Sequence, residues 1–252
     1  MSRFRAAFYH FLISLGIFAV IVWFILFRWF PDFFFAIDGG REGLRIIIGV
    51  GLVSGPLLTL VVFKAGKPGL GFDLLMIGTM QALCLAGGIY VVYSERPTFF
   101  IYYEKHFYSA SADTYRQYRA TSPDPDRFGG APAMVYVDLP INPIEEADIR
   151  KIYYDDQIPL WTASDTTSHS VRKMDEVLQA GRSAESIRKR DTGDSLDRWL
   201  DRHEGSFEDY AFIPIHSRYR NAYLPVRRAD KSFADLLEVK PPAIGLPPQP
   251  RQ

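Results

Sequence analysis

The side chains best suited to metal or acid–base chemistry are histidines, and their spacing does not form a known ligand pattern. The chain has five of them: His10, His106, His169, His203 and His216. The segment "HEGSF" begins like the zinc motif H-E-x-x-H, but Phe207 stands where the second histidine is required. Because a zinc site needs three or four converging ligands, the sequence predicts no metal site.

Residues that could catalyse hydrolysis are present without the local pattern that hydrolases use. Ser168 and His169 supply two members of a Ser-His-Asp triad, but no G-x-S-x-G elbow surrounds the serine. The paired acids Glu145–Glu146 and Asp155–Asp156 lie in polar segments, where carboxylates are usually solvated. We therefore expect no catalytic residue and no enzymatic activity.

Two glycine-containing segments match nucleotide-binding loops only in part. "GVGLVSG", which starts at Gly49, has the first two glycines of G-x-G-x-x-G, but Ser54 takes the place of the third. "AGKPG" has the Gly-Lys pair of a phosphate loop without the earlier glycine or the following Ser or Thr. The sequence therefore predicts no cofactor.

Three uncharged apolar runs occupy the first third of the chain. They are Ala6–Phe27, Ile46–Phe63 and Leu74–Ser94. A bilayer core needs about 20 residues of helix, and each run meets that length. The first run is long for a signal peptide, and no A-x-A-like cleavage site follows it. The sequence thus predicts a three-helix transmembrane bundle in a lipid bilayer, and the net charge of zero argues against nucleic acid as a partner.

The short connections between the runs predict the orientation. Arg3 and Arg5 precede the first run, and Lys64 and Lys67 lie between the second and third. The three basic residues between the first and second runs are balanced by three acidic ones. The positive-inside rule therefore favours a cytoplasmic N-terminus and an exported segment after Ser94. Aromatic residues at the exit of the first run predict an interfacial belt: Trp29, Phe30, Phe33, Phe34 and Phe35.

The polar part of the chain reads as a small α+β domain. We predict a transmembrane domain over 1–97, an exported domain over 98–240, and a disordered proline-rich tail over 241–252. The predicted strands are Thr98–Glu104, Ala133–Leu139, Tyr210–His216, Asn221–Arg228 and Phe233–Val239. The predicted helices are Ala112–Ala120, Ile144–Tyr154, Val171–Arg190 with a possible break at Gly181, and Leu196–His203.

Small residues recur along the second and third runs at a spacing of four. Gly51, Gly55 and Thr59 form one stripe, and a second consists of Gly78, Ala82 and Ala86. Small residues let membrane helices approach closely. The two helices could pack against each other, or one stripe could receive the helix of another protein.

Two further residues of these runs bear on packing. Pro56 lacks an N–H and should free a carbonyl near Leu52, with a kink that could widen a groove. Gln81 should hydrogen-bond across the bundle.

The first hundred residues resemble the type IV pilin accessory proteins of the TfpX/TfpZ type. The resemblance is carried by "FLISLGIFAVIVWFILFRWFPDFFFAIDGGREGLRIIIGV", "GPLLTLVVFKAGKPGLGFDL" and "YSERP". It is looser at "FIPIHSRYRNAYLPV" in the exported part. The chain departs from the family at Gly51, where relatives tend to carry an acidic residue.

The resemblance implies a role in assembly and no reaction. It implies a chaperone-like factor of the bacterial inner membrane with a periplasmic domain. Its expected partner is a major type IV pilin, through the transmembrane helix and the head domain, with other inner-membrane proteins of pilus assembly as further candidates. The candidate partner-binding residues are Gly51, Gly55, Pro56, Thr59, Gln81, Asp38, Gly39 and Gly40.

Two other functions stay open from the sequence alone. A pilin-modifying enzyme, for example a glycosyltransferase, would usually have more spans and an acidic or histidine-bearing outer loop, which only the short "DGGREG" offers. A membrane-anchored sensor would need a cytoplasmic output module, and the predicted orientation places nothing large there.

Reporter fusions test the predicted orientation. Alkaline phosphatase fused after Val239 should be active, and the same reporter fused at Gly66 should be inactive, because only the exported side supports its folding. The opposite pattern would invert the orientation and move the α+β domain into the cytoplasm.

Overall fold

A computed structural model of the chain describes residues 2–163, 166–168, 171–217 and 219–240. The chain divides into two compact units. The first comprises residues 1–98 and 111–117, and the second residues 99–110 and 118–252. The predicted disordered tail, 241–252, lies outside the described residues.

The first unit contains three helices long and apolar enough to cross a membrane. These spans are Arg3–Trp29, Gly40–Val62 and Leu70–Ser94. Their α-helical elements, with one short helix between the first two spans, are α1 Arg3–Phe24, α2 Phe34–Ile37, α3 Gly40–Ile47, α4 Gly55–Val62 and α5 Leu70–Ser94. Two π-helical segments interrupt them, Ile25–Trp29 in the first span and Ile48–Ser54 in the second. The second span packs against both of the others.

The link between the first two spans is shorter than the sequence indicated. The predicted apolar runs leave residues 28–45 between the first two spans, but α3 already begins at Gly40. Gly39 makes this early start possible, because its φ of 90° lies in the left-handed region that glycine tolerates. Its carbonyl accepts the first helical bond, from the N–H of Gly43 at 2.8 Å.

The expected aromatic belt is in part a packed core. Phe30 and Phe34 are only 1% and 6% exposed, so they are core residues and not interfacial anchors. Trp29 packs edge-on against Tyr93 of α5, with ring centroids 5.4 Å apart. These aromatic side chains therefore help to join the spans, which a belt facing lipid would not do.

The second unit is built on a six-stranded mixed sheet. Its strands are β1 Pro97–Tyr103, β2 His106–Ser111, β3 Ala133–Val137, β4 Thr166–Ser168, β5 Tyr210–His216 and β6 Asn221–Arg227. Their order is β4-β3-β1-β2-β5-β6. β1 pairs with β3, and β2 with β5, in parallel, whereas the outer pairs β3–β4 and β5–β6 are antiparallel.

Short helices connect and cover the strands. In the second unit they are α7 Pro143–Asp155, α8 Val171–Gln179, α9 Ala184–Arg188 and α10 Ser195–Leu200, whereas α6 Ala112–Gln117 belongs to the first unit. The predicted break at Gly181 is confirmed, since α8 and α9 lie on either side of it. A Cβ on Gly181 would lie 3.1 Å from Cα of Ala211, so β5 approaches the backbone there closely.

The predicted strand Phe233–Val239 is wrong. This segment touches β6 through two isolated bridges only, Tyr223 to Leu237 and Val226 to Phe233. The reason lies in β6, where Pro225 accepts a bond from the N–H of Ala234 but has no N–H to return. A regular ladder cannot form on that edge.

The sequence reasoning also missed β2 and β4. The turn that joins β1 to β2 consists of Glu104 and Lys105, with φ of 44° and 66°. Two-residue hairpin turns with positive φ usually contain Asn or Gly, which are the signal that sequence reasoning looks for. The turn therefore gave no hairpin signal.

Candidate functional site

Polar side chains from all three spans meet inside the first unit. His10 and Ser14 come from α1, Thr59 from α4 and Gln81 from α5. The backbone carbonyl of Gly51, in the π-helical part of the second span, completes the group. We call these five residues the intramembrane cluster.

The π-helical segment explains why a backbone carbonyl takes part. In a π-helix the carbonyl of residue i accepts from the N–H of residue i+5. For Gly51 that residue is Pro56, which has no N–H. Gln81 supplies the missing donor, with Nε2 2.8 Å from the Gly51 oxygen. The freed carbonyl expected near Leu52 is thus that of Gly51.

The hydrogen atoms of the intramembrane cluster can be assigned from this one contact. Because the Gly51 carbonyl can only accept, the amide NH₂ of Gln81 must face it, and the same nitrogen reaches Ser14 Oγ at 3.3 Å. Gln81 Oε1 then accepts from His10 Nε2 at 2.8 Å. His10 Nδ1 lies 2.6 Å from the Thr59 hydroxyl and completes the chain of bonds.

One glycine of the second span makes room for Gln81. A Cβ on Gly55 would overlap Oε1 of Gln81, so only glycine lets the amide reach its partners. A Cβ on Gly51 would lie 3.7 Å from Cδ1 of Leu85, an ordinary contact with α5. The expectation that Gln81 hydrogen-bonds across the bundle is confirmed.

The predicted partner-binding residues fall into two groups. Gly51, Gly55, Thr59 and Gln81 belong to the interior of the bundle around Pro56, so Gly51 does not lie on an outer surface where a client would meet it. That position counts against the client-facing role that the sequence suggested for it.

The second group lies near the other end of the second span. Asp38, Gly39 and Gly40 form the tight link before α3, where Asp38 is 6% exposed. A Cβ on Gly40 would lie 2.6 Å from Cδ2 of Phe35, so close packing explains this glycine. The structure does not bring the two groups together.

Sequence reasoning missed His10 and the contacts of Ser14. His10 was compared only with other histidines, as a possible metal ligand. Its informative feature is its position within an uncharged run, because ionisable residues inside a membrane are rare and mark functional or structural contacts. That rule would have singled it out.

Among the other histidines, His106 and His216 stack on each other, with ring centroids 5.2 Å apart. His203 stacks on Trp199 with ring centroids 3.8 Å apart, and its Nδ1 lies 2.8 Å from the Trp199 carbonyl. His169 lies outside the described residues. Within the described part of the chain, no three His, Cys, Asp or Glu side chains could hold a metal ion.

The third span presents a second, outward face. Its inner face carries Gln81 and Leu85, whereas Gly78, Ala82 and Ala86 are exposed. A Cβ on Gly78 would meet no atom within 4 Å. The stripe of small residues on α5 is therefore not used for packing within the first unit, unlike the stripe on the second span.

Substitution of Gly55 tests the internal contact. Gly55→Ala should destabilise the bundle by about 1–3 kcal/mol, because its methyl group displaces the Gln81 amide. Thermal unfolding of the detergent-solubilised chain measures the effect. Gly78→Ala is the matched control and should leave the midpoint unchanged; equal midpoints for the two variants would contradict the contact.

Removal of the Gln81 amide tests the intramembrane cluster as a whole. Gln81→Leu leaves the Gly51 carbonyl and His10 without their partner. Because bonds between membrane helices average about 0.6 kcal/mol and reach about 1.7, we expect a loss of about 1–2 kcal/mol in SDS-induced unfolding. Met80→Leu, at an exposed neighbouring position, should have no effect. A Gln81→Leu chain as stable as this control would show that the intramembrane cluster does not stabilise the packing of the three spans.

Comparison of the chain with models of protein families, with curated proteins and with solved structures finds no match.

Proposed function

We propose that this chain is a non-enzymatic accessory factor of the bacterial inner membrane that binds a major type IV pilin and promotes its assembly into pili. The proposal begins from the resemblance of the first hundred residues to pilin accessory proteins. The three apolar spans followed by a mixed α/β domain are compatible with it. In this proposal the N-terminus is cytoplasmic and the second unit is periplasmic.

The observation that carries the proposal is the outward stripe on α5. Gly78, Ala82 and Ala86 leave a smooth, exposed surface on the third span. Membrane helices associate through close packing of small residues, since burial of leucine against leucine gains little in lipid. A pilin subunit waits in the membrane as one helix with its head outside, and that helix is the partner we assign to the stripe.

The division of the small residues supports this assignment. The intramembrane cluster uses Gly51 and Gly55 to hold the chain's own spans together. The stripe on α5 makes no such internal contact, and leaving it unfilled has no advantage for the stability of the bundle. A client helix would bury it without disturbing the intramembrane cluster on the inner face.

Larger side chains in the stripe distinguish an effect on client binding from an effect on the stability of the chain. Gly78→Leu and Ala82→Leu should leave the protein level normal, because both positions face outward, but should reduce pilus number and the yield of crosslinks to pilin. Gly16→Leu is the control, since Gly16 lies on the first span with nothing within 4 Å of a Cβ. Pilus number is counted by electron microscopy.

Three outcomes would count against the proposal. Normal piliation in both stripe variants would show that α5 faces only lipid. An equal loss in Gly16→Leu would point to a general membrane defect. A change in the mass of pilin on deletion of this chain, with pilus assembly intact, would favour the pilin-modifying enzyme.

A further inference from the structure

The second unit contains a cleft at the carboxyl ends of two parallel strands. Its volume is about 450 Å³. Tyr102 and Tyr136 line it from the penultimate positions of β1 and β3, where they are paired across the parallel ladder. Lys173 and Glu176 line it from α8. In sheets with parallel strands, ligands bind in the crevice beyond the carboxyl ends of the strands.

One polar group in this cleft has no partner. Tyr136 is 1% exposed, and its hydroxyl makes no hydrogen bond to any described residue. Buried hydroxyls are nearly always paired, because an unpaired one loses its bonds to water without replacement. The ring of Tyr102 lies beside it, with centroids 5.8 Å apart in an edge-to-face arrangement. A ligand that reaches Tyr136 would restore the missing bond.

The charges around the two phenols favour a cation. Lys173 Nζ is 2.5 Å from Asp138 Oδ1 and 3.5 Å from Glu176 Oε2, so its charge is directed mainly to Asp138. Burial is the main cause that raises the pKa of Tyr102 and of Tyr136 to about 12, and the negative charge of Glu176 contributes to both shifts. Both phenols are therefore neutral at pH 7, and Glu176 gives their surroundings a negative potential.

The remaining charged residues of the cleft are at its rim. Glu104 is held by Arg150, with Nη2 2.8 Å from Oε1. Lys105 lies on the exposed turn next to it. Glu176, in contrast, contributes to the raised pKa of both Tyr102 and Tyr136.

We propose that this cleft binds a primary ammonium group, which donates to the hydroxyl oxygens of Tyr136 and Tyr102 and to the carboxylate of Glu176. An ammonium has three N–H donors, and these three residues offer three acceptors. The faces of tyrosine rings attract cations as well. A free amine and a lysine side chain of a polypeptide share this chemistry. The inference does not depend on the pilin proposal.

Calorimetric titration of the full chain in a non-ionic detergent tests the proposal. The probes are n-butylammonium chloride and the blocked tripeptide acetyl-Gly-Lys-Gly-amide. Both should bind saturably, and Tyr136→Phe and Glu176→Gln should each weaken binding at least tenfold. Tyr154→Phe and Glu185→Gln change the same residue types at exposed positions and should bind like the unaltered chain.

The melting temperature of Tyr136→Phe shows whether weaker binding could result from a loss of stability. Because the Tyr136 hydroxyl has no partner, its removal should leave the melting temperature equal or higher. A lower melting temperature would mean that the hydroxyl has a structural role, and the proposal would fail.

The affinities of the two probes identify the source of the ammonium group. Tighter binding of the tripeptide than of butylammonium would identify a polypeptide as the source, and equal binding a free amine; both support ammonium recognition. Absence of saturable binding, unchanged binding in Tyr136→Phe, or binding of inorganic phosphate in place of the amines would overturn it.

Discussion

A backbone carbonyl inside a lipid bilayer must find a donor, and the packing of the three spans depends on how Gly51 finds one. Pro56 removes the donor that the π-helical pattern would supply, and hydrocarbon offers none. Gln81 donates instead, which requires glycine at position 55 so that the amide can pass. His10 then engages the other end of the same amide. The hydrogen bond that the Gly51 carbonyl requires thus determines how the three spans are rotated relative to one another.

The third span serves two different purposes on its two faces. The inner face is committed to the bundle through Gln81, and the outer face, with its small residues, makes no contact within the first unit. A helix whose orientation is fixed from one side can present a defined surface on the other. This division between the two faces fits the proposed accessory factor. A client helix could bind to the outer face and leave again without any change in the packing of the bundle.

Features that depend on local patterns could be predicted from the sequence. The three spans follow from uncharged length, and four of the six strands, with the short helices near Gly181 and Trp199, follow from periodicity and breakers. The pairing of Phe233–Val239 fails because Pro225, on another strand, withholds a donor. The intramembrane cluster joins residues 49 and 71 positions apart, beyond the reach of any local pattern.

The π-helical segment Ile48–Ser54 also sets the phase of the second span. Gly43, before it, packs against Val92 of α5, and Gly55, after it, packs against Gln81 of the same helix. In an uninterrupted α-helix these glycines would be about 3.3 turns apart and would point in different directions. The wider π turns absorb that difference. Loss or gain of one residue there would rotate α4 by about 100° relative to α3. A change in the number of residues in this stretch would therefore prevent Gly43 and Gly55 from facing α5 together.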